Sequence, residues 1–179
     1  MIHFFTPYRT DKDLGKAYND SMRMLPNDND WACFTDGDAM FTTPFFGSQL
    51  EEIIKANPEA KLFASMTNRI GTGYQCVPDM WEENDISVHW KKGLELAETK
   101  ETNCIDVTDK SPISGVLIMI QKSEWERVGG FGESGHALGV DNSIHYAVRD
   151  NGGKVFLMEG VYMLHYYRNG NRADKSHLK

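Results

Sequence analysis

The chain has little cysteine, no surplus of positive charge and no long apolar run. Its three cysteines, Cys33, Cys76 and Cys104, are odd in number and form no Cys-x-x-Cys pair. That argues against a disulfide framework and fits a reduced, cytoplasmic setting. Nineteen lysines and arginines stand against 26 aspartates and glutamates, a net charge of −7. Nucleic-acid binding by counter-ion release is therefore disfavoured, and an anionic ligand would need local help from a metal or placed arginines. No apolar stretch approaches the roughly 20 residues that span a bilayer, so a membrane could be met only peripherally. Met1-Ile2-His3-Phe4-Phe5 lacks the basic region and apolar core of a signal peptide. No repeat, low-complexity tract or linker interrupts the chain.

What is present is ordinary for one globular domain: 179 residues, 40% apolar and 25% charged. A single domain over residues 1–168 is expected, with a basic tail over 169–179. Ile2 to Phe5 reads as a first strand. It stops at Thr6-Pro7-Tyr8-Arg9, either a cradle for a base and a phosphate or a plain loop with one ordered tyrosine. Leu14, Ala17, Tyr18, Ser21, Met22 and Leu25 predict a helix from about Asp13 to Met24, with Thr10 as its cap. Ser48-x-x-Glu51 reads as a capping box with Leu50, Ile53 and Ile54 buried behind it, and Asn57-Pro58 ends that helix. Lys61 to Met66 is a strand, followed by a loop, Thr67 to Tyr74, at the kind of strand end where α/β sheets bind ligands.

Ile86, Trp90, Leu94 and Ala97 suggest a further helix, with Glu95, Glu98 and Glu101 as its solvated face. Ser114 to Ile120 is the most apolar run and reads as a central strand. Ser123-x-x-Glu126 reads as a second capping box, on a short helix broken by Gly129-Gly130. Ile144, Ala147 and Val148 face inward on a helix ended by Asn151-Gly152-Gly153. Val155 to Met158 and Tyr162 to Arg168 read as the last two strands.

Within this framework Asp36-Gly37-Asp38 closes the apolar run Trp31-Ala32-Cys33-Phe34. Two carboxylates one residue apart repel unless a cation lies between them. Their hard oxygens suit Mg²⁺ or Mn²⁺, and a cation with open positions suits a diphosphate. The same tripeptide also suits an ordinary turn.

Together with two other blocks, this motif resembles a GT-A glycosyltransferase, nearest the inverting enzymes of family 2. The match runs from about Leu14 to Arg168. Asp36-Gly37-Asp38 is similar to the family's Asp-x-Asp signature. Gly115 through Trp125-Glu126-Arg127-Val128-Gly129-Gly130-Phe131, then Asp141-Asn142-x-Ile144, is similar to its acceptor block. His165-Tyr166-Tyr167-Arg168 resembles a late metal-binding histidine. Leu14-Gly15-Lys16-Ala17-Tyr18-Asn19 resembles the helix before the signature. Two departures stand out: the signature arrives early, without the usual preceding β-α-β unit, and the family's Glu-Asp pair reads Val140-Asp141.

The resemblance implies an α/β fold of GT-A type, a mixed, mostly parallel sheet flanked by helices, with an abbreviated nucleotide-binding half. It implies a UDP- or GDP-sugar donor, Mn²⁺ or Mg²⁺, and a glycan, lipid-linked or other hydroxyl acceptor. Asp38 would be the direct metal ligand. Asp36 would reach the ribose or a metal-bound water, and His165 would add nitrogen. Thr6, Tyr8, Arg9 and Arg168 would lie around the nucleotide, and Trp81, Trp90 and Tyr74 are candidates to stack on acceptor sugars. Asp141 would be the general base, or else a helix cap. A sugar nucleotidyltransferase and a non-catalytic nucleotide-binding protein are the alternatives.

Overall fold

The structure is a computed structural model that describes residues 1–133, 135 and 138–167. Among the described residues, seven strands form one sheet: β1 (Ile2–Phe5), β2 (Trp31–Thr35), β3 (Ala39–Phe41), β4 (Ala60–Thr67), β5 (Cys104–Asp106), β6 (Leu117–Gln121) and β7 (Lys154–His165). Five α-helices accompany them among the same residues: α1 (Leu14–Arg23), α2 (Phe46–Ala56), α3 (Ile86–Lys100), α4 (Lys122–Arg127) and α5 (Val140–Asp150). The strand order is β1-β2-β6-β4-β7-β3, with β5 also on β7.

The central strands are apolar throughout because both faces of the sheet are covered, and residues alternate between two cores. Ala32, Phe34, Ile118 and Ile120 pack toward Tyr18 and Met22 of α1 and Ile144 and Val148 of α5. Trp31, Cys33, Leu117 and Met119 pack toward Leu50 and Ile53 of α2. This α/β sandwich agrees with the expected class. The expectation of a mostly parallel sheet holds only for direction. β1, β2, β4 and β7 run one way, but β6 inserts in reverse between β2 and β4, so only β1–β2 and β4–β7 pair in parallel. The pairings of β3 and β5 with β7 are antiparallel too.

Two expected strands are one. β7 runs unbroken from Lys154 to His165, and its irregularity is a bulge: Ser65 pairs with Met158 but Met66 with Tyr162. The bulge has a geometric use. From Thr35 to Ala39 is four Cα steps, at most about 14 Å, yet β2 and β3 are four places apart in the sheet, about 19 Å if it were flat. The far half of β7 must therefore curl back toward the end of β2, bending where the ladder slips.

The helix starts differ from expectation. Asp13, not Thr10, caps α1, accepting the Lys16 N–H at 3.1 Å. Ser48 lies inside α2, its hydroxyl donating to the Phe45 carbonyl at 3.0 Å. Neither α2 nor α4 has a side-chain cap, so neither capping box forms. In α4 the charged contact is instead Glu124 with Arg127, at 2.6 Å. On α3 the buried residues are His89, Gly93 and Ala97, while Ile86, Trp90 and Leu94 are exposed. The inward face is set by His89, whose ring meets the Tyr162 hydroxyl at 2.7 Å, and by Gly93, where a Cβ would collide with Thr42.

Candidate functional site

β2 and β3 meet β7 around Asp36-Gly37-Asp38. The Asp36 N–H donates to the Val116 carbonyl at 3.2 Å, and the Ala39 N–H returns to the Asp36 carbonyl at 3.2 Å. This tight turn sends both carboxylates toward the tip of β7, where Ala39 faces His165 in register and the Tyr166 N–H donates to the Asp38 carbonyl at 2.9 Å. His165 Nε2 lies 3.2 Å from Asp38 Oδ1 and 3.6 Å from Asp36 Oδ2. One ligand atom from each of the three residues falls within 4.8 Å of the others.

These spacings fit a divalent cation. Ligand atoms about 2.1 Å from one ion lie about 3.0 Å apart on neighbouring octahedral positions and about 4.2 Å apart across it. The orientation of the imidazole fits as well. Its Nδ1 sits 2.8 Å from the Arg69 carbonyl, which can only accept, so Nδ1 carries the proton and Nε2 is turned to the carboxylates. A ring fixed in this way through its second nitrogen is the usual support of a metal-binding histidine. The Asn68 side-chain oxygen also accepts the His165 N–H at 2.8 Å.

The electrostatics agree. Burial pushes Asp36 up, His165 pulls it down, and Asp38 and Asp141 push it up again, leaving it at about 6. Burial lowers His165, but the hydrogen bond and charge of Asp38, the charge of Asp36 and the Arg69 carbonyl together raise it above its ordinary value. The cluster is thus a place that gathers positive charge, proton or metal ion.

Asp141 stands in the second position of α5, where Gly139 occupies the cap with no side-chain bond. It is therefore not the helix cap. Its Oδ2 accepts the Gly115 N–H at 3.1 Å and its Oδ1 the Asn142 N–H at 2.9 Å. A carboxylate has about four acceptor positions, and these two bonds do not fill them. Burial raises Asp141 above its ordinary value, and the backbone N–H groups of Asn142, Gly115 and Asp141 itself only partly offset this. Tyr18, expected simply as core, is buried close enough to feel the charges of Asp36 and Asp141. Burial first, and those charges next, hold its phenol protonated.

The other expected site residues divide. The Thr6 hydroxyl is 3.3 Å from that of Thr35, and its methyl lies beside Gly37. Tyr8 is 80% exposed. Arg9 is committed elsewhere: its Nη1 donates to Asp20 at 2.9 Å, and its Nε and Nη2 donate to Asp11 at 2.9 and 2.7 Å. The pairing holds Asp11 at about 2. Arg168 and the tail lie outside the described residues. Tyr74 donates to the Ser111 carbonyl at 2.7 Å, and Trp90 is on the outer side of α3. Trp81 meets the Tyr167 ring edge-on at 6.0 Å.

Sequence reading missed the supports. Arg69 and Asn68 hold His165 from a loop flagged only by its position after β4. Asn19 holds the glycine-rich block: its side chain donates to the Phe131 carbonyl and Glu133 and accepts from the Phe131 N–H and the Trp125 indole, each at 2.8–2.9 Å. Backbone carbonyls leave no signal in a sequence. Asn19, inside an apolar helical face, did leave one.

The chain is thus an α/β domain whose mixed sheet presents a candidate Asp-Asp-His cation site at one strand end. No protein-family model and no curated protein matches it.

Proposed function

We propose that the protein is a metal-dependent glycosyltransferase of GT-A type, moving a sugar from a UDP- or GDP-sugar to an acceptor hydroxyl with inversion. The observation that carries this reading is the convergence of Asp36, Asp38 and His165 at the tip of β7, with Asp141 held one peptide unit from Asp36's own anchor. Asp36, Asp38 and His165 would hold Mn²⁺ or Mg²⁺, the imidazole favouring Mn²⁺. When bound, such an ion supplies Lewis-acid stabilisation of the departing diphosphate.

The chain's own residues do the rest. Asp141 takes the proton of the acceptor hydroxyl as that oxygen bonds to the anomeric carbon and the bond to the diphosphate breaks. A base held by backbone N–H groups, with its affinity for a proton raised by burial, is suited to this role. Acting as base and never as nucleophile, it gives a single displacement. Thr6 lies at the Gly37 side of the site, where the nucleoside would be met. The acceptor is a glycan, a lipid-linked saccharide or another hydroxyl compound. Three free cysteines support a cytoplasmic setting.

Calorimetry with UDP and GDP tests the donor site. Binding is expected with Mn²⁺ and lost with chelator, and Asp38→Ala should weaken it by at least about a hundredfold. Unchanged Mn²⁺-dependent affinity in that variant removes the assignment. Binding without transfer over an acceptor panel would instead leave a nucleotide-binding protein.

A further inference from the structure

The candidate base and the first metal carboxylate hang on adjacent residues. The Gly115 N–H holds Asp141, and the Val116 carbonyl holds the Asp36 N–H. The spacing between proton acceptor and metal site is therefore only as well defined as the segment 111–116. That segment precedes β6 and lies in no strand. Side chains pin it instead. Tyr74 donates to the Ser111 carbonyl, Thr72 donates to the Pro112 carbonyl at 3.0 Å, and the Ile113 N–H reaches His145 Nδ1 at 3.4 Å. The Thr72 and Ser114 hydroxyls meet at 2.7 Å.

The central clamp is Gln75, which is fully buried. Its Oε1 accepts the Ser114 N–H at 2.7 Å, and its Nε2 donates to the Ser114 carbonyl at 3.2 Å. One amide thus makes both bonds that a neighbouring strand residue would make. Its second Nε2 hydrogen goes to the Ser65 carbonyl of β4 at 3.2 Å, so the clamp ties the segment to the middle of the sheet. The next N–H along is that of Gly115. A Cβ there would stand 3.5 Å from the Asp141 Cβ, ordinary contact distance, so the backbone bond rather than crowding holds Asp141.

We propose that Gln75 is a positioning residue: by fixing both backbone groups of Ser114 it aims the Gly115 N–H at Asp141 and sets the distance from that carboxylate to the metal site. The assignment of a role in transfer rests on the proposed glycosyltransferase reading. The positioning itself does not.

Two measurements on Gln75→Met test it. Amide exchange at Ser114 and Gly115 should quicken by at least about tenfold, while Mn²⁺–UDP affinity stays within about threefold. In turnover, kcat should fall at least about tenfold at unchanged donor KM. In an Asp141→Asn background the same substitution should change residual kcat by less than about threefold, because the group it aims is gone. A merely structural loss lowers kcat alike in both backgrounds, and that result, or unchanged Gly115 exchange, overturns the proposal. Should Gln75→Met not fold, Gln75→Glu, which keeps an oxygen for the Ser114 N–H but loses the Nε2 donor, is read by the same measures. Exchange needs no turnover: a wild-type chain that transfers no sugar removes the glycosyltransferase reading, and the exchange result still decides the positioning.

Discussion

At the residue scale, the proposed transferase would divide its chemistry between two carboxylates by their surroundings. Asp36 shares a cluster with Asp38 and His165, while Asp141 lies against the backbone N–H groups of Gly115 and Asn142. Burial raises Asp141 above its ordinary value, so a base at this position loses its function as pH falls through that raised value. The acidic limb of kcat should therefore lie above the usual range near pH 4. Asp141→Asn should bind Mn²⁺ and UDP within about threefold of wild type and lose transfer by at least about a thousandfold, as read in a steady-state assay. Wild-type turnover in that variant removes Asp141 as the base. The residues that converge are those whose chemistry was visible in the sequence: a carboxylate pair at a strand end and a histidine at a later strand end. Arg9 was equally visible and went elsewhere, because Asp11 and Asp20 are within its reach and satisfy its guanidinium at the surface.

At the element scale, α1 matters for what it clamps. A Cβ on Gly15 would overlap the Gly132 carbonyl, so the helix lies directly on the glycine-rich block that leads toward α5. Asn19, one turn on, bonds both backbone groups of Phe131. Gly15→Ala should force the two apart and cost about 2–3 kcal/mol, lowering the melting temperature by roughly 4–12 °C for a domain of this size. Urea denaturation and calorimetry check it; a gain in stability from the better helix former would show that the contact yields. The long apolar elements were legible because their periodicity is a property of the local chain. β3 and β5 were not: each is three residues long and is defined by its pairing with β7, far away in sequence. On α3 the glutamate face is exposed as its spacing suggests and Ala97 is buried, but Ile86, Trp90 and Leu94 also face solvent, because a histidine and a glycine decide which side turns inward. Both capping boxes failed because each helix starts before its serine, where a sequence pattern cannot see the backbone turn.

At the scale of the whole molecule, the site should couple metal to pH. In the absence of metal, raised Asp36 and His165 mean that the folded chain binds more protons there than the unfolded one. That contribution to stability is present at low pH. Asp36's share fades between its ordinary value and about 6, and His165's share fades as pH rises through its own raised value. A divalent ion must displace those protons, so its affinity rises over the same interval. His89 and His145, both lowered by burial, titrate in the opposite sense but equally with and without metal. The expected observation is a difference: the melting temperature in Mn²⁺ minus that in chelator should widen as pH rises through about 6 and on through the raised value of His165. A flat difference would count against the three residues as ligands.

β7 carries one further consequence. The strand that ends in His165 is also the one on which β3, β4 and β5 all pair. An ion seated at its tip therefore grips the backbone that threads the middle of the molecule, and occupancy cannot remain a private matter of the rim. Amides at Phe156, Leu157 and Met158, remote from the cluster along the same strand, should exchange more slowly once Mn²⁺ is added, by the factor through which the ion favours the folded chain. The centre of the protein would then serve as the reporter of its own edge.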